Sequence, residues 1–260
     1  MKTLQYFVLY KPFGITSQFS GEEENLSNLP YDFPKDVYPV GRLDKDSEGL
    51  LILTNDSNLQ HRLTDPKFGH HRSYFVQVEG DINEEAIEKL KNGVEITLPN
   101  KKKYTTLPAF AEKIETPNLP ERIPAIRFRK SVPDSWIELT LTEGKNRQVR
   151  KMFASVGFPV LRLVRVQIED LKLGKLEPGK YYEIKADELF KLIKIDPSAL
   201  TKPKPTGKRI YGPSKSTKPA DKPTTPKDSK KATTKSFDKP SSVKAKDSQK
   251  SSSKSFDKPK

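Results

Sequence analysis

The sequence has 260 residues and no cysteine, which excludes disulfides and cysteine-ligated zinc or iron–sulfur sites. Its net charge of +14 is unevenly spread: residues 198–260 hold 18 Lys or Arg against 5 Asp, whereas residues 1–197 hold 30 basic against 29 acidic residues. Overall charge alone therefore does not show that the body of the chain binds nucleic acid. No stretch reaches the roughly 20 apolar residues of a membrane span, so we expect a cytoplasmic protein that does not contact a membrane.

The first part of the body alternates apolar runs with turn-forming residues. A buried strand is predicted over residues 5–10, a turn over 11–14, and a second apolar strand over 50–54. Asn55 and Asp56 are then positioned to cap a short helix. This order, two apolar strands and then a capped helix, indicates a mixture of strands and helices.

The second part of the body continues this mixture. A strand over residues 74–78 precedes a helix that Asn83 caps and Gly93 ends. Residues 136–142 alternate apolar and polar side chains, as in a strand with one buried face, and Asn146 is positioned to cap the following helix. An extended segment and a last helix are predicted at 160–168 and 187–194. Because no βα unit repeats, we predict an α+β fold with a mixed, mainly antiparallel sheet and flanking helices.

The segment 198–260 has a different composition, dominated by Pro, Lys, Ser and Thr, and it repeats KSFDKP at 235–240 and 254–259. Its few apolar side chains cannot offset the entropy of ordering, so we predict a disordered basic tail. Two interpretations of this tail remain open: a solubilising extension, or a non-specific electrostatic tether to nucleic-acid phosphates.

The most informative segment is GRLDKDSEGLLILTND at 41–56. A glycine-bounded, charged loop leads directly into a buried strand, and binding or catalytic groups are often presented in this way. From the residues alone, a turn of solvated charge explains it equally simply. Asp44, Asp46 and Glu48 could also act as hard oxygen ligands in a metal-dependent phosphodiesterase.

A second segment, EGKNRQVRKM at 143–152, opens a predicted helix. Arg147, Arg150 and Lys151 are spaced i, i+3 and i+4 and therefore share one helix face. Backbone N–H groups at the helix start favour an anion, so this segment predicts a site for a phosphate or a carboxylate. The alternative is a solvated basic face.

Taken together, these two segments, with KPFG upstream and RLVR downstream, closely resemble the RsuA/RluB/RluE/RluF branch of ribosomal pseudouridine synthases. The resemblance runs from about residue 5 to residue 184. The passages KPFGITSQF, HRLTDP, YFVQVEG and SVGFPVLRLVR resemble the RluE type, which acts on 23S ribosomal RNA and lacks the S4 RNA-binding domain of its relatives. The resemblance implies the pseudouridine synthase fold over residues 1–197, with two subdomains flanking a catalytic cleft and no S4 domain.

The resemblance also implies a role for individual residues. Asp44 becomes the catalytic aspartate, Tyr74 the aromatic residue that packs on the target base, and Arg150 the basic residue that pairs with the aspartate. Lys11 belongs to a motif whose role is structural. The residues expected to bind the RNA lie in the two charged segments: Arg42, Lys145, Asn146 and Arg147. For Tyr74 we favour stacking over proton removal, because a phenol is a weak base.

Pseudouridine formation breaks the bond from ribose C1′ to uracil N1 and rejoins the base through C5. It needs no redox change, so we expect no cofactor. The Asp44 carboxylate would add at C1′ or C6, or assist a glycal-type elimination, and the sequence leaves these routes open. In a dry pocket, a neighbouring Arg150 would favour the ionised carboxylate.

The expected protein is thus an isomerase that acts as a monomer on 23S rRNA or its large-subunit precursor. Alternatives are the same reaction on 16S rRNA or tRNA, and a non-catalytic rRNA-binding assembly factor. His61, His70 and His71 are the three histidines, and no cysteine accompanies them. A zinc site generally needs three or four protein ligands, so we expect no metal and a structural or surface role for these histidines.

Overall fold

A computed structural model of the protein describes residues 3–126 and 132–200. The predicted tail at 198–260 lies almost entirely outside these ranges, so its disorder stays a prediction. Within them, no helix combines the length and the apolar character that crossing a membrane requires.

The described residues form eleven strands and four α-helices. In chain order the strands are β1 (Tyr6–Lys11), β2 (Tyr38–Pro39), β3 (Glu48–Thr54), β4 (Arg72–Glu79), β5 (Glu95–Thr97), β6 (Lys103–Thr105), β7 (Phe110–Ile114), β8 (Asp134–Leu141), β9 (Val160–Ile168), β10 (Leu171–Lys172) and β11 (Tyr181–Glu183). The helices are α1 (Ser57–Thr64), α2 (Glu84–Asn92), α3 (Gln148–Ser155) and α4 (Ala186–Leu192).

One large sheet organises the body, with strand order β11-β1-β3-β9-β4-β8-β7. β2 pairs with β3 and β10 with β9, while β5 and β6 form a separate hairpin. In the described part of the sheet only β3 and β9 run parallel, with Glu48 opposite Val164 and Gly49 opposite Arg165. The predicted α+β class with a mixed, mainly antiparallel sheet is therefore confirmed.

The apolar core falls into two main clusters that meet along β9. One cluster packs β1 and β3 against α1 and α4, and the other packs β4 and β8 against α2 and α3. Neighbouring residues of β9 contribute to different clusters, Val164 to the first and Leu163 to the second, because successive side chains of a strand point to opposite faces. A smaller cluster that includes Leu43 and Leu26 lies beneath the loop before β3.

Two predicted helix caps are confirmed. The Asp56 side chain accepts hydrogen bonds from the backbone N–H groups of Asn58 and Leu59, and the Asn83 side chain accepts one from Ala86. Each cap satisfies donors that have no partner within the helix, and this explains why α1 and α2 begin at the predicted places.

The predicted cap of α3 is wrong. The helix begins at Gln148, and Arg147 occupies the cap position in the left-handed region (φ +50°) without a side-chain cap. Gln148 Oε1 instead accepts a hydrogen bond from the Lys145 N–H group (2.8 Å), which folds residues 145–148 into a turn before the helix. Asn146 points its side chain to Lys151 Nζ (3.2 Å).

Candidate active site

Hydrogen bonds hold the loop that carries Asp44 on both sides of this residue. Ser17 Oγ donates to the Leu43 carbonyl (2.9 Å) and accepts from the Leu43 N–H group (3.0 Å). On the other side, the Gly14 N–H group donates to the Lys45 carbonyl (2.8 Å). The Leu43 side chain is buried in the cluster beneath the loop. The backbone of Asp44 is therefore fixed between two anchored neighbours.

Lys11 closes the turn that supports this loop. Its Nζ donates to the carbonyls of Pro12 (2.9 Å) and Ile15 (2.6 Å), and its side chain is fully buried. Burial lowers the pKa of Lys11 to about 7, although the negative charge of Glu48 opposes the shift. These contacts support the structural role expected for Lys11.

The two charged segments, about 100 residues apart in sequence, meet through Arg147. Its Nη1 and Nη2 donate to the two carboxylate oxygens of Asp46 at 2.8 and 2.7 Å. Arg147 Nη1 also lies 3.9 Å from Asp44 Oδ2. Burial favours a higher pKa for Asp46, but the hydrogen bonds from Arg147 and the charge of Arg150 outweigh it and hold that pKa below its usual value.

The expected ion pair between Arg150 and Asp44 is wrong. Arg150 Nη2 donates to the backbone carbonyl of Asp46 (2.6 Å) and Nη1 to that of Val160 (3.2 Å), while Nε lies 3.2 Å from Asp46 Oδ2. Arg150 stands on the first turn of α3, and the tight turn from Asp44 to Ser47 directs the Asp46 side chain toward that helix. Arg150 thus holds the loop that carries Asp44 through Asp46, and Arg147 is the cation that approaches Asp44.

Asp44 and Tyr74 line the same cleft, which has a volume of about 570 Å³. The Asp44 side chain is about one-third exposed (34%), so its carboxylate is accessible to a ligand. Six of the seven predicted site residues line this cleft: Arg42, Asp44, Tyr74, Lys145, Asn146 and Arg147. The seventh, Arg150, is not part of the lining.

Tyr74 owes its position to an irregularity in the sheet. The pairing of β4 with β9 shifts register between Ser73 and Tyr74, and Tyr74 lies opposite Arg165. Such a bulge re-aims side chains locally. Tyr74 is half-buried and therefore keeps part of its ring available in the cleft.

Glu143 organises the loop that carries Lys145, Asn146 and Arg147. It is buried, and its carboxylate accepts hydrogen bonds from Leu107 N–H (2.9 Å), Gln148 Nε2 (2.7 Å) and the Tyr104 hydroxyl (2.5 Å). The hydrogen bond to Glu143 raises the pKa of Tyr104 to about 12. Two of the three donors come from residues 104–107, a segment without a clear sequence pattern, so no local signal revealed the role of Glu143.

The carboxylates of the first segment do not form a metal site. Glu48 is almost completely buried and makes two parallel hydrogen bonds with Arg162, Nε to Oε1 at 2.9 Å and Nη2 to Oε2 at 2.8 Å. Asp46 is bound to Arg147, and no cluster of three potential metal ligands occurs among the residues that the structure describes. Because Asp46 and Glu48 already form ion pairs with arginines, these contacts argue against a metal-dependent phosphodiesterase.

The histidines lie away from this cleft and contact carboxylates. His70 is buried, with Nδ1 3.3 Å from Glu169 Oε1, and burial lowers its pKa. His61 Nε2 lies 3.9 Å from Asp65 Oδ2 on the surface. Both contacts agree with the structural or surface role expected for them.

The mixed sheet, with an accessible carboxylate and a tyrosine in a cleft surrounded by cationic side chains, is characteristic of an enzyme that acts on a polyanion. Residues 5–155 match the model of the family described as RNA pseudouridylate synthase. The chain belongs to this family.

Named relatives and a solved structure agree. The chain is 45% identical to ribosomal large subunit pseudouridine synthase E of Vibrio parahaemolyticus, over 71% of this chain and 75% of the relative. It is 48% identical to the enzyme of the same name from Xanthomonas axonopodis pv. citri, over 66% and 89% of the two chains. A crystal structure of a pseudouridylate synthase superposes with a TM-score of 0.61 and 30% identity, over 74% of this chain and 75% of that one.

Proposed function

We propose that this protein is an isomerase that converts one uridine of large-subunit (23S) ribosomal RNA to pseudouridine, with Asp44 as the catalytic carboxylate. The observation that carries the proposal is the shared cleft, where Asp44 and Tyr74 lie among cationic side chains. Family membership supports the reaction, and the names of the relatives support the large-subunit substrate.

Asp44 has the contacts that a nucleophile needs. Arg147 uses both terminal nitrogens on Asp46, so within the described chain Asp44 has only a longer contact of 3.9 Å with that guanidinium. This distance leaves the Asp44 oxygens free to act on the ribose or the base. Asp46, held by two arginines, does not have this freedom.

The reaction then balances without a cofactor. The electron pair of the C1′–N1 bond leaves with the uracil while Asp44 stabilises or traps the separated fragment. The base turns, C5 bonds to C1′, C5 loses its proton, and N1 gains one. A cleft that excludes water protects the detached base during this rearrangement.

The remaining cleft residues hold the RNA. The target uridine must leave its stack, and the Tyr74 ring offers a face to receive it. Arg42, Lys145, Asn146 and Arg147 provide donors for phosphates and base edges. Because one chain supplies all these groups, we expect the enzyme to act as a monomer, in the cytoplasm where ribosomal RNA is modified.

The experiment maps pseudouridine in ribosomal RNA from cells with and without the gene. We expect the loss of one 23S site, restored by the wild-type gene and not by Asp44→Asn. Asp46→Asn is a matched control, because both side chains are 34% exposed and they lie two residues apart in one loop. We expect it to lower stability but to keep measurable activity.

Two results would contradict the proposal. A folded Asp44→Asn protein that restores the modification would remove Asp44 from the mechanism. An unchanged 23S profile in cells without the gene, with a site lost from 16S rRNA or tRNA, would overturn the substrate assignment.

A further inference from the structure

A second, smaller cavity of about 160 Å³ adjoins the cleft. Both are lined by Arg42, Tyr74 and Glu143, but only the cleft is lined by Asp44. The walls of the smaller cavity carry three guanidinium groups, those of Arg42, Arg72 and Arg165. The residues assigned to the reaction do not explain why three cations surround so small a space.

Arg165 is the unusual member of this group. It is almost completely buried, its Nε donates to the Leu50 carbonyl (2.8 Å), and its Nη2 has no hydrogen-bond partner among the described residues. No carboxylate in the described chain lies within ion-pair distance of it, and the polar side chain beside it is Tyr74. A buried guanidinium without a counter-ion is costly, because it has lost its hydration and gained no opposite charge.

The other charged groups of the cavity do not compensate Arg165. The Arg72 guanidinium donates to the carbonyls of His70 (3.1 Å) and Leu63 (2.6 Å) and brings a second positive charge. Glu143, the carboxylate in the lining, already accepts three hydrogen bonds from neighbouring groups. Arg42 is exposed and adds a third positive charge. The cavity lining therefore has a net positive charge, and the Arg165 guanidinium has the Tyr74 hydroxyl beside it but no carboxylate partner among the described residues.

The position of Arg165 is fixed by the sheet. It lies opposite Gly49 of β3 on one side and opposite Tyr74 of β4 on the other. A Cβ atom on Gly49 would lie 2.2 Å from the Arg165 carbonyl oxygen, so the two backbones are in close contact. Arg165 is thus built rigidly between the strand that follows the Asp44 loop and the strand that carries Tyr74.

We propose that this cavity binds one phosphate of the RNA, the phosphodiester next to the target uridine, with the guanidinium groups of Arg165 and Arg42 as donors. The inference rests on the proposed function and extends it. A phosphate supplies the negative charge that Arg165 lacks among the described residues, and guanidinium groups bind phosphates well. A phosphate is favoured over the uracil ring because the ring must reach Asp44, which does not line this cavity. A phosphate held here would fix the backbone while the base turns in the cleft.

Synthetic RNA that contains the mapped uridine tests this, with each flanking phosphate replaced in turn by a neutral methylphosphonate. For the wild-type enzyme we expect one replacement to weaken binding at least about tenfold, as loss of a charged hydrogen bond would. Arg165→Met should bind the native RNA more weakly than the wild type by a similar factor. Replacing that phosphate with a methylphosphonate should not weaken the binding of this variant any further. Lys113→Met is the control for a lost positive charge, because Lys113 pairs with Asp81 and lines neither cavity. In this variant the methylphosphonate should weaken RNA binding by the same factor as in the wild type.

A second pair of variants covers the case in which Arg165→Met does not fold. Thr64 is exposed and lines the cavity, so Thr64→Glu would place a carboxylate beside the guanidiniums, and Thr64→Gln is its neutral control. We expect Thr64→Glu to have a higher Tm than Thr64→Gln and to bind the RNA at least about tenfold more weakly. Equal RNA binding by these two variants, or a wild-type enzyme insensitive to every methylphosphonate, would overturn the cavity proposal. If the same RNA still becomes pseudouridylated, the proposed function stands; if no ribosomal RNA is modified, the function itself fails.

Discussion

Lys11 provides the most quantitative prediction, because its amine is fully buried beneath the loop that carries Asp44. Its pKa falls from 10.5 to about 7 on folding, mainly through loss of hydration. At about 1.4 kcal/mol for each tenfold change in proton affinity, a charged Lys11 destabilises the fold by up to about 5 kcal/mol. The carboxylates of Glu48, Asp46 and Asp44 oppose the shift, and their effect is already included in this figure.

The sign follows from proton binding. Between pH 7 and pH 10.5 the unfolded chain holds the Lys11 proton and the folded protein has released it. Stability therefore rises with pH across this window. Below about pH 7 both states are protonated and the destabilisation is complete. From pH 7 to pH 9 the contribution of Lys11 to the free energy of unfolding should rise by about 2 kcal/mol.

The assay compares urea unfolding of wild type and Lys11→Met, followed by the fluorescence of Trp136, the single tryptophan and a buried residue. Methionine keeps the length of the side chain and cannot titrate. The contributions of other titrating groups cancel in the difference between the two free energies of unfolding. From pH 7 to pH 9 this difference should change by about 2 kcal/mol in favour of the wild type. A difference that stays constant within about 0.5 kcal/mol would show that Lys11 does not change protonation there, and would refute the reasoning.

Three other substitutions test the site. Ser17→Ala leaves the buried N–H group of Leu43 without an acceptor, so stability should fall by about 1–3 kcal/mol, and kcat should fall more than KM changes; an unchanged kcat would remove Ser17 from loop positioning. Tyr74→Phe should keep most activity, whereas Tyr74→Ala should bind the substrate about 5- to 150-fold more weakly. Equal losses in the two variants would indicate that the hydroxyl, rather than the ring, holds the substrate. Gly49→Ala combines φ +106° with a Cβ atom 2.2 Å from the Arg165 carbonyl, so thermal melts should show the fold lost, and a wild-type Tm would contradict the close strand contact.

Much of the secondary structure was readable from local pattern. β1 and β3 are apolar runs, and the caps of α1 and α2 are side chains that bond to nearby backbone donors. Short strands such as β2, β5, β10 and β11, with two or three residues each, carry no periodicity and were not predicted. The cap of α3 failed because Gln148, rather than Asn146, makes the bond that organises the preceding turn.

The site residues likewise divide into those that the sequence indicated and those that only the structure revealed. The family resemblance and the charged segments indicated Asp44, Tyr74 and the cations around them, and the structure brings these residues to one cleft. Because α3 packs against the loop, Arg150 forms its ion pair with Asp46, and Arg147 is the arginine that lies near Asp44. The anchoring by Ser17 and Glu143 likewise joins residues that are distant in sequence.

The sequence by itself determined the elements with strong periodicity, because periodicity is a property of residue types within one short segment. Through the family resemblance it also indicated the class of enzyme, and Asp44 as the proposed catalytic carboxylate. The tertiary structure alone decided which arginine approaches which aspartate, and that Arg165 is buried with no carboxylate partner in the part of the chain that the structure describes. Such pairings depend on sheet register and on the turn of a loop, where a shift of one residue points a side chain to the opposite face.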